Sequence, residues 1–467
     1  MEFYSSNVVF LVVINAALSY CQYKRQNGKS KTPKDMAGGH SAESVAAAEA
    51  VNWHFKMKFL PVYLLVFGAD WLQVCVPVLR CPRLPTDENR DRIFTPYQKG
   101  LAEETVAHLF TTGFLAAAIS ASFIGSLADR YGRRAACLTF CATYSVSCFT
   151  VLFDDIIILF LGRILGGLST TLMYSVFESW MVTEYHRQHL DDAGGSLSEL
   201  FGIMTALNSV IAILAGLFAQ FMSDFTGTQA APFMTAVVCL VSAFVLISRR
   251  WSENYGDSAK FDALLPNVPE KSGYQIILDD KRLWALCITS CFFEGSMYLW
   301  IFFKFPALRL THELNGLGSD LPFGMIFAAL MCAMMLGSLF FTWYSSLPRG
   351  PLVAGPSSLL MFALLLASSC FLIPVLSRHE ASTFWCFCLF EFCCGIYFPT
   401  IGTLKEKLVD DGVRAKIYGI TRIPLNLFVF FGLAFTQDGE RHRDNMFMVL
   451  SGVLLAAAAA VCTLLLD

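Results

Sequence analysis

The sequence predicts an all-α membrane protein of two six-helix bundles with one extra transmembrane helix at the N-terminus. Three observations carry that prediction. Of 467 residues, 55% are hydrophobic and only 15% charged, against about 45–50% apolar and 25% charged in a soluble domain. Thirteen apolar runs recur along the chain, each near the roughly 20 residues a helix needs to cross hydrocarbon with its backbone hydrogen bonds satisfied. The last twelve runs split evenly about a polar stretch at 249–282, the layout of two similar bundles flanking a transport path.

The runs fall at 6–22, 57–79, 103–128, 134–153, 156–181, 197–221, 231–248, 283–305, 321–345, 352–376, 382–404, 413–436 and 445–466. They divide the chain into an N-terminal anchor and basic linker (1–52), a first bundle (53–248), a cytosolic linker (249–282) and a second bundle (283–467). Residues 1–22 read as an uncleaved anchor, because only Glu2 is charged before the apolar run and a signal peptide opens on basic residues. Residues 36–52, rich in Ala and Gly, read as a linker or a short surface helix. Lys24, Arg25, Lys29, Lys31 and Lys34, the cluster Arg130, Arg133 and Arg134, and the group Arg249, Arg250, Lys281 and Arg282 fall on one side, which the positive-inside rule makes cytosolic. The loop at 80–100 breaks that rule with Arg80, Arg83, Arg90, Arg92 and Lys99 outside. It is either an unusual outer excursion or non-native sequence. The net charge of −3 gives no electrostatic footprint for nucleic acid. The expected partners are the bilayer and a small solute.

The most specific string is Gly125-Ser126-Leu127-Ala128-Asp129-Arg130-Tyr131-Gly132-Arg133-Arg134, between the second and third helices of the first bundle. Here Gly125 is expected to let two helices approach closely and Gly132 to permit a tight turn. Asp129 faces basic residues and can hold an ion pair that breaks as bundles rock, so Gly125, Asp129, Arg130, Gly132, Arg133 and Arg134 form a candidate conformational latch. A second string, Gly162-Arg163-Ile164-Leu165-Gly166-Gly167, sets Gly162 and Gly166 on one helical face for close packing. Taken by its place alone, Arg163 reads as a cation near the outer membrane edge, snorkelling to the interface.

Ionisable groups inside spans cost about 2.5–3.5 kcal/mol each even on a lenient scale, so those present need a reason. Asp70 and Glu294 lie at comparable depth in the first and seventh core helices, Glu178 and Glu391 in the fourth and tenth, and Arg422 in the eleventh. Each charge can simply pair across a bundle and fix its packing; taken together, Asp70, Glu294 and Arg422 point to a function. The planar donor fork of Arg422 suits a tetrahedral oxyanion. Asn208, Asn426, Ser296 and Thr421 offer neutral donors, and Pro424 is expected to break its helix and free backbone groups. Asp70, Glu178 and Glu294 are then proton carriers or counter-ions for the empty arginine. Lys304 reads as snorkelling from its helix end, and most of the 42 Phe as facing lipid. Cys386, Cys388, Cys393 and Cys394 sit in an apolar helix without paired-turn geometry, so they read as packed thiols. Neither a phosphate-binding loop, a zinc-binding helix motif, a nucleophile elbow nor a dinucleotide fingerprint occurs in credible context, so no metal, cofactor or enzymatic activity is expected.

The string from Gly125 to Arg134 resembles the signature of the major facilitator superfamily, and the one opening at Gly162 its fourth-helix motif, whose arginine is linked to coupling in proton-coupled members. Within that superfamily the chain resembles the molybdate-anion transporter family. The matching pieces are Ala69-Asp70-Trp71-Leu72-Gln73, the Gly162–Thr170 segment continuing through Phe177-Glu178-Ser179-Trp180 to Glu184, and Trp251-Ser252-Glu253-Asn254-Tyr255. Phe293-Glu294, Gly395-Ile396-Tyr397-Phe398-Pro399 and Arg422-Ile423-Pro424-Leu425-Asn426 complete them. The loop at 74–97 departs from the family's short outer segment. The resemblance implies the major facilitator fold and uptake of molybdate, a tetrahedral dianion, through a multi-pass protein of the cell membrane. Sulfate shares that charge and shape. The alternatives are a carrier of sugar, drug or organic anion, and a membrane sensor without transport.

Overall fold

The computed structural model describes residues 2–29, 42–74, 79–80, 99–100, 103–121, 123–190, 197–228, 230–255, 277, 279–315, 321–345, 347, 355–408, 414–437 and 439–465. Most of the outer loop at 74–97 and most of the linker at 249–282 lie outside the described residues. The described chain is helical apart from a parallel pair of two-residue strands, Leu79–Arg80 with Lys99–Gly100.

The helices, in chain order, are α1 (Glu2–Lys29), α2 (Ala42–Val74), α3 (Glu103–Ala121), α4 (Ile124–Tyr131), α5 (Arg133–Thr150), α6 (Ile156–Arg187), α7 (Leu197–Thr226) and α8 (Ala231–Arg250). After the linker come α9 (Lys281–Leu314), α10 (Phe323–Ser345), α11 (Pro356–Ser377), α12 (Glu380–Leu408), α13 (Arg414–Ala434) and α14 (Glu440–Leu464). Among the described residues, nine of these helices are long and apolar enough to cross a membrane, and Thr105–Ala121 and Thr421–Ala434 are shorter apolar helices. The protein is a multi-pass membrane protein. Local chemistry sets several starts: Asp155 caps α6 by accepting from the Ile157 amide at 2.8 Å, and Asp280 caps α9 from the Arg282 amide at 2.8 Å.

Four expectations are corrected. The run at 103–128 is two helices, because a tight turn from the Ser120 carbonyl to the Phe123 amide (3.2 Å) interrupts it. Of residues 36–52, 36–41 lie outside the described residues and 42–52 are helical, not as a separate surface helix but as the start of α2, in keeping with alanine's helix preference. Pro424 does not break its helix, since α13 runs continuously from Arg414 to Ala434 around it; proline removes only its own amide, which leaves the carbonyl of Ile420 without its helical donor. Finally, Phe is a core residue as often as a peripheral one: Phe140, Phe293, Phe303, Phe327, Phe371, Phe387 and Phe390 are fully buried.

The chain divides into two compact units: residues 23–100 with 112–268, and residues 1–22 with 101–111 and 269–467. In the first, α2 packs on α7 and α8, and α5 on α6 and α8. In the second, α9 packs on α12, α13 and α14, and α12 on α10 and α11. A Cβ at Gly337 of α10 would collide with the Phe392 carbonyl of α12, and one at Gly395 with the Met334 carbonyl; two glycines thus let the backbones of α10 and α12 touch. The extra helix α1 belongs to this second unit, not to the helices that follow it in sequence. Tyr4 donates to Glu380 of α12 at 2.5 Å, Asn15 to the Cys332 carbonyl of α10 at 3.0 Å, and Gln22 to the Leu339 carbonyl at 2.8 Å.

Candidate functional site

In the unit holding α2 and α5–α8, Asp70 is half-buried and its Oδ1 accepts from the Tyr144 hydroxyl at 2.6 Å. Arg163, one helix further on in α6, is half-buried and interacts electrostatically with Tyr144. The sequence therefore brings a carboxylate, a phenol and a guanidinium together from α2, α5 and α6. Asn208 is engaged elsewhere, its Oδ1 accepting from Trp71 Nε1 at 2.9 Å. Glu178 is exposed and interacts electrostatically with Tyr63 of α2.

In the other unit, Glu294 of α9 is half-buried and accepts from the Tyr397 hydroxyl of α12 at 3.0 Å; Ser290 Oγ lies 3.5 Å from the same hydroxyl. Lys405, two turns further along α12, interacts electrostatically with both Glu294 and the exposed guanidinium of Arg422 on α13. Ser296 is fully buried, and its Oγ has no hydrogen-bond partner among the described residues. Asn426 is half-buried one turn beyond Arg422. The arrangement joins two cations, one carboxylate and one phenol from three helices. Such a cluster can bind an anion through charge-assisted hydrogen bonds, with Glu294 as resident counter-ion.

Lys304 corrects an expectation. It is not at a helix end but ten residues inside α9, 1% exposed, with its Nζ 4.9 Å from the Trp300 ring centroid and 5.4 Å from that of Phe327. Its charge reaches Glu391 of α12, itself 5% exposed. Here cation–π contact and an opposite charge replace water.

The latch string forms a tight corner. Gly132 joins α4 to α5 at φ +112°, a conformation glycine alone adopts readily. Asp129 pairs with Arg133 at 2.7 Å; Arg133 also donates to the Ser179 carbonyl at 3.1 Å and to Thr183, while Arg134 donates to the Ser248 carbonyl at 2.8 Å. Arg130 is exposed. Gly125 does not serve close packing: a Cβ there would meet no atom of the described residues within 4 Å. Gly162, by contrast, does pack closely as its spacing predicts, since a Cβ there would collide with Thr150 of α5.

The segment after α8 locks this corner. Glu253 accepts from the Arg134 amide at 2.7 Å and the Ala135 amide at 3.1 Å, capping α5 from 118 residues away. Trp251 stacks on Trp180 with ring centroids 3.7 Å apart, and Asn254 Nδ2 donates to the Trp180 carbonyl at 3.1 Å. Ser252 faces the fully buried Glu184, which pairs with Lys58 of α2 at 3.2 Å and Arg187 at 2.8 Å. The motif Trp-Ser-Glu-Asn thus ties α2, α5 and α6 into one block.

These features meet known proteins at both levels. A family model described as sugar transporters with twelve transmembrane segments matches residues 35–385. The molybdate-anion transporter of Danio rerio is 30% identical over 460 residues, covering 91% of this chain and 89% of its own length. That of Xenopus laevis is 29% identical over 429 residues, with 91% and 89% covered. This chain belongs to the molybdate-anion transporter family of the major facilitator superfamily. Solved structures agree on the fold: the nucleoside transporter NupG superposes with a TM-score of 0.58 at 13% identity, over 87% of this chain and 98% of NupG. The peptide transporter POT in complex with sulfate gives a TM-score of 0.64 at 14% identity, over 88% and 94%.

For a member of this family, the sequence marks Asp70, Glu294, Arg163 and Arg422 but misses the residues that gather them. Tyr144 and Tyr397 look like two more aromatics among 15 Tyr, and Lys405 sits where a span end is expected, beside Lys407. Only the helical register, with Tyr397 and Lys405 eight residues apart on one face of α12, could have drawn Lys405 to Glu294.

Proposed function

We propose that the protein carries molybdate, or an oxyanion of the same shape and charge, inward across the cell membrane by alternating access, as a carrier and not an enzyme. The observation that carries the reading is the exposed guanidinium of Arg422 within a helix of the membrane domain, with Lys405 of α12 interacting electrostatically with it and with Glu294 of α9. A guanidinium matches a tetrahedral oxyanion with two parallel N–H···O bonds, and Asn426 and Ser296 supply further neutral donors. Glu294, with Asp70, Glu178 and Arg163 in the other unit, serves as counter-ion or coupling group, a role compatible with proton coupling. Asp129 to Arg134 act as the latch between conformations. Relatives named molybdate-anion transporters at 29–30% identity support the substrate. The family model's description favours a second reading, a sugar carrier; a neutral sugar gives the exposed guanidinium of Arg422 no charge to meet.

The test is molybdate accumulation in vesicles carrying the purified protein, with Arg422→Ala as the variant. A hydrogen bond to a charged group contributes about 1.5–3 kcal/mol net, so the variant loses about ten- to 150-fold in affinity while still reaching the membrane. Normal molybdate uptake by Arg422→Ala removes the ligand role. Sugar accumulation without oxyanion uptake favours the second reading.

A further inference from the structure

We infer that the extra helix α1 positions the candidate site from a distance: through Tyr4 it completes a tie between α9 and α12 that keeps Glu294 against Tyr397 further along the same helix pair. The effect on solute affinity rests on the oxyanion reading above; the tie itself does not.

A carboxylate in direct contact joins α9 to α12 at two places. At one, Glu294 of α9 accepts from the Tyr397 hydroxyl of α12 at 3.0 Å. At the other the roles are exchanged, and Glu380 of α12 lies 2.9 Å from His312 Nδ1 of α9. Eighteen positions separate Glu294 from His312 and seventeen separate Glu380 from Tyr397. Both junctions therefore obey one antiparallel register, about 26 Å apart at 1.5 Å per residue. Ring contacts run between them: Phe293 stacks on Tyr397 at 3.9 Å, and Trp300 lies 5.0 Å from Phe390 and 5.4 Å from Phe387.

The N-terminal helix enters at the second junction. The Tyr4 hydroxyl donates at 2.5 Å to Oε1 of Glu380, the same oxygen that faces His312, and its ring meets Phe384 edge-on at 5.2 Å. All three polar residues are buried, and a buried carboxylate is costly unless donors reach it. Tyr4 supplies one donor from a third helix. That helix is itself held in place: Tyr4, Val8, Leu11 and Asn15 form a buried stripe at the four-and-three spacing of a packed seam. Asn15 and Gln22 donate to the carbonyls of Cys332 and Leu339, seven residues apart on α10, and a polar residue partnered in such a seam fixes its register. Tyr4 cannot slide from Glu380 without breaking both bonds. Loss of its hydroxyl leaves Glu380 short of a donor, slackens the second junction and lets α9 shift against α12 at Glu294. Binding groups work only within about 0.5 Å of their productive geometry.

The experiment uses the purified full chain, wild type and Tyr4→Phe, and measures amide hydrogen exchange in detergent, equilibrium molybdate binding and uptake into vesicles. Tyr4→Phe is expected to raise exchange along α9 as far as the turn holding Glu294 and to weaken molybdate binding. Each changes by about two- to thirtyfold, the span for substitutions along a coupled network, while the maximal uptake rate stays as in the wild type. Glu380→Gln still accepts from Tyr4 through its amide oxygen and keeps most of the affinity. In a Tyr397→Phe background, where the first junction is already gone, Tyr4→Phe weakens binding no further. Exchange raised only in the turns of α9 beyond Pro306, unchanged molybdate binding in Tyr4→Phe, or an equal loss with and without the Tyr397 hydroxyl overturns the positioning role and leaves the oxyanion reading intact. A wild type that binds no molybdate overturns that reading, and the exchange profile still decides whether α1 holds α9 to α12.

Discussion

The corner at Gly132 allows a perturbation whose size follows from geometry. A Cβ built there would lie 2.5 Å from the Glu253 carboxyl carbon and 2.7–2.8 Å from its two oxygens. Gly132→Ala therefore imposes two separate penalties. The backbone stays at φ +112°, which costs an L-residue about 1–3 kcal/mol. The carboxylate must also leave the Arg134 and Ala135 amides, which removes a helix cap worth about 1 kcal/mol and a charge–dipole contribution of about 0.3–1 kcal/mol. The total is about 2–5 kcal/mol. Glu253→Ala alone forfeits only the cap, about 1–2 kcal/mol.

The two changes share the cap, so they are not additive. In the Glu253→Ala background the new methyl has room, and Gly132→Ala then costs only its backbone strain. The double mutant is expected to be more stable than the sum of the singles by about 1–2 kcal/mol, within the range seen for residues in contact. Thermal unfolding of the detergent-solubilised protein measures the sum. Hydrogen exchange at the Arg134 and Ala135 amides measures the cap directly, at about tenfold in rate per 1.4 kcal/mol. Additivity within about 0.5 kcal/mol, or unchanged exchange at those amides in Glu253→Ala, would show that Glu253 does not cap α5 and that Gly132 is not conserving space for it.

Two further outcomes follow from the buried charges and the latch. Lys304→Met strands Glu391, 5% exposed, and is expected to destabilise by about 3–5 kcal/mol; adding Glu391→Gln recovers most of that in a thermal melt, and a double mutant no better than the single refutes the pairing. Asp129→Asn weakens an (i, i+4) pair at 2.7 Å whose partners are 12% and 31% exposed, worth only about 0.3–0.5 kcal/mol in the resting state. It is expected to leave melting unchanged and to slow turnover more than it raises the half-saturating oxyanion concentration; a pure loss of affinity argues against a latch.

Much of the fold was legible because a bilayer demands long apolar runs, and composition reports those directly. The interruption at Phe123 was not, because apolarity continues across a turn made by backbone hydrogen bonds. Nor was the continuity of α13 through Pro424, since packing holds a helix that local propensity disfavours. The placement of α1 on α10 and α12 rests on contacts between residues more than 300 positions apart, which no local pattern encodes. At the candidate site, charges out of place in hydrocarbon announced themselves, whereas their neutral partners did not. Tyr144, Tyr397 and the unpartnered Ser296 are ordinary residues for a span, and only three-dimensional register gives them meaning. Gly125 shows the opposite failure: the motif's glycine invites a packing role, yet a Cβ there would meet no atom of the described residues within 4 Å.

Access to solvent divides these intramembrane groups. Lys304 and Glu391 are one cation and one anion, both shut away from solvent, and the cation is further enclosed by the rings of Trp300, Phe305 and Phe327. Such a pair is complete; a passing ligand has neither access nor a charge to satisfy. Asp70 with Arg163 approaches the same state, joined through the phenol of Tyr144. Arg422 differs, because its guanidinium remains exposed, as does the half-buried ammonium of Lys405 in part. An arginine open to solvent can still meet a ligand whereas a shut-in pair cannot, so Arg422→Ala tests function and Lys304→Met tests packing.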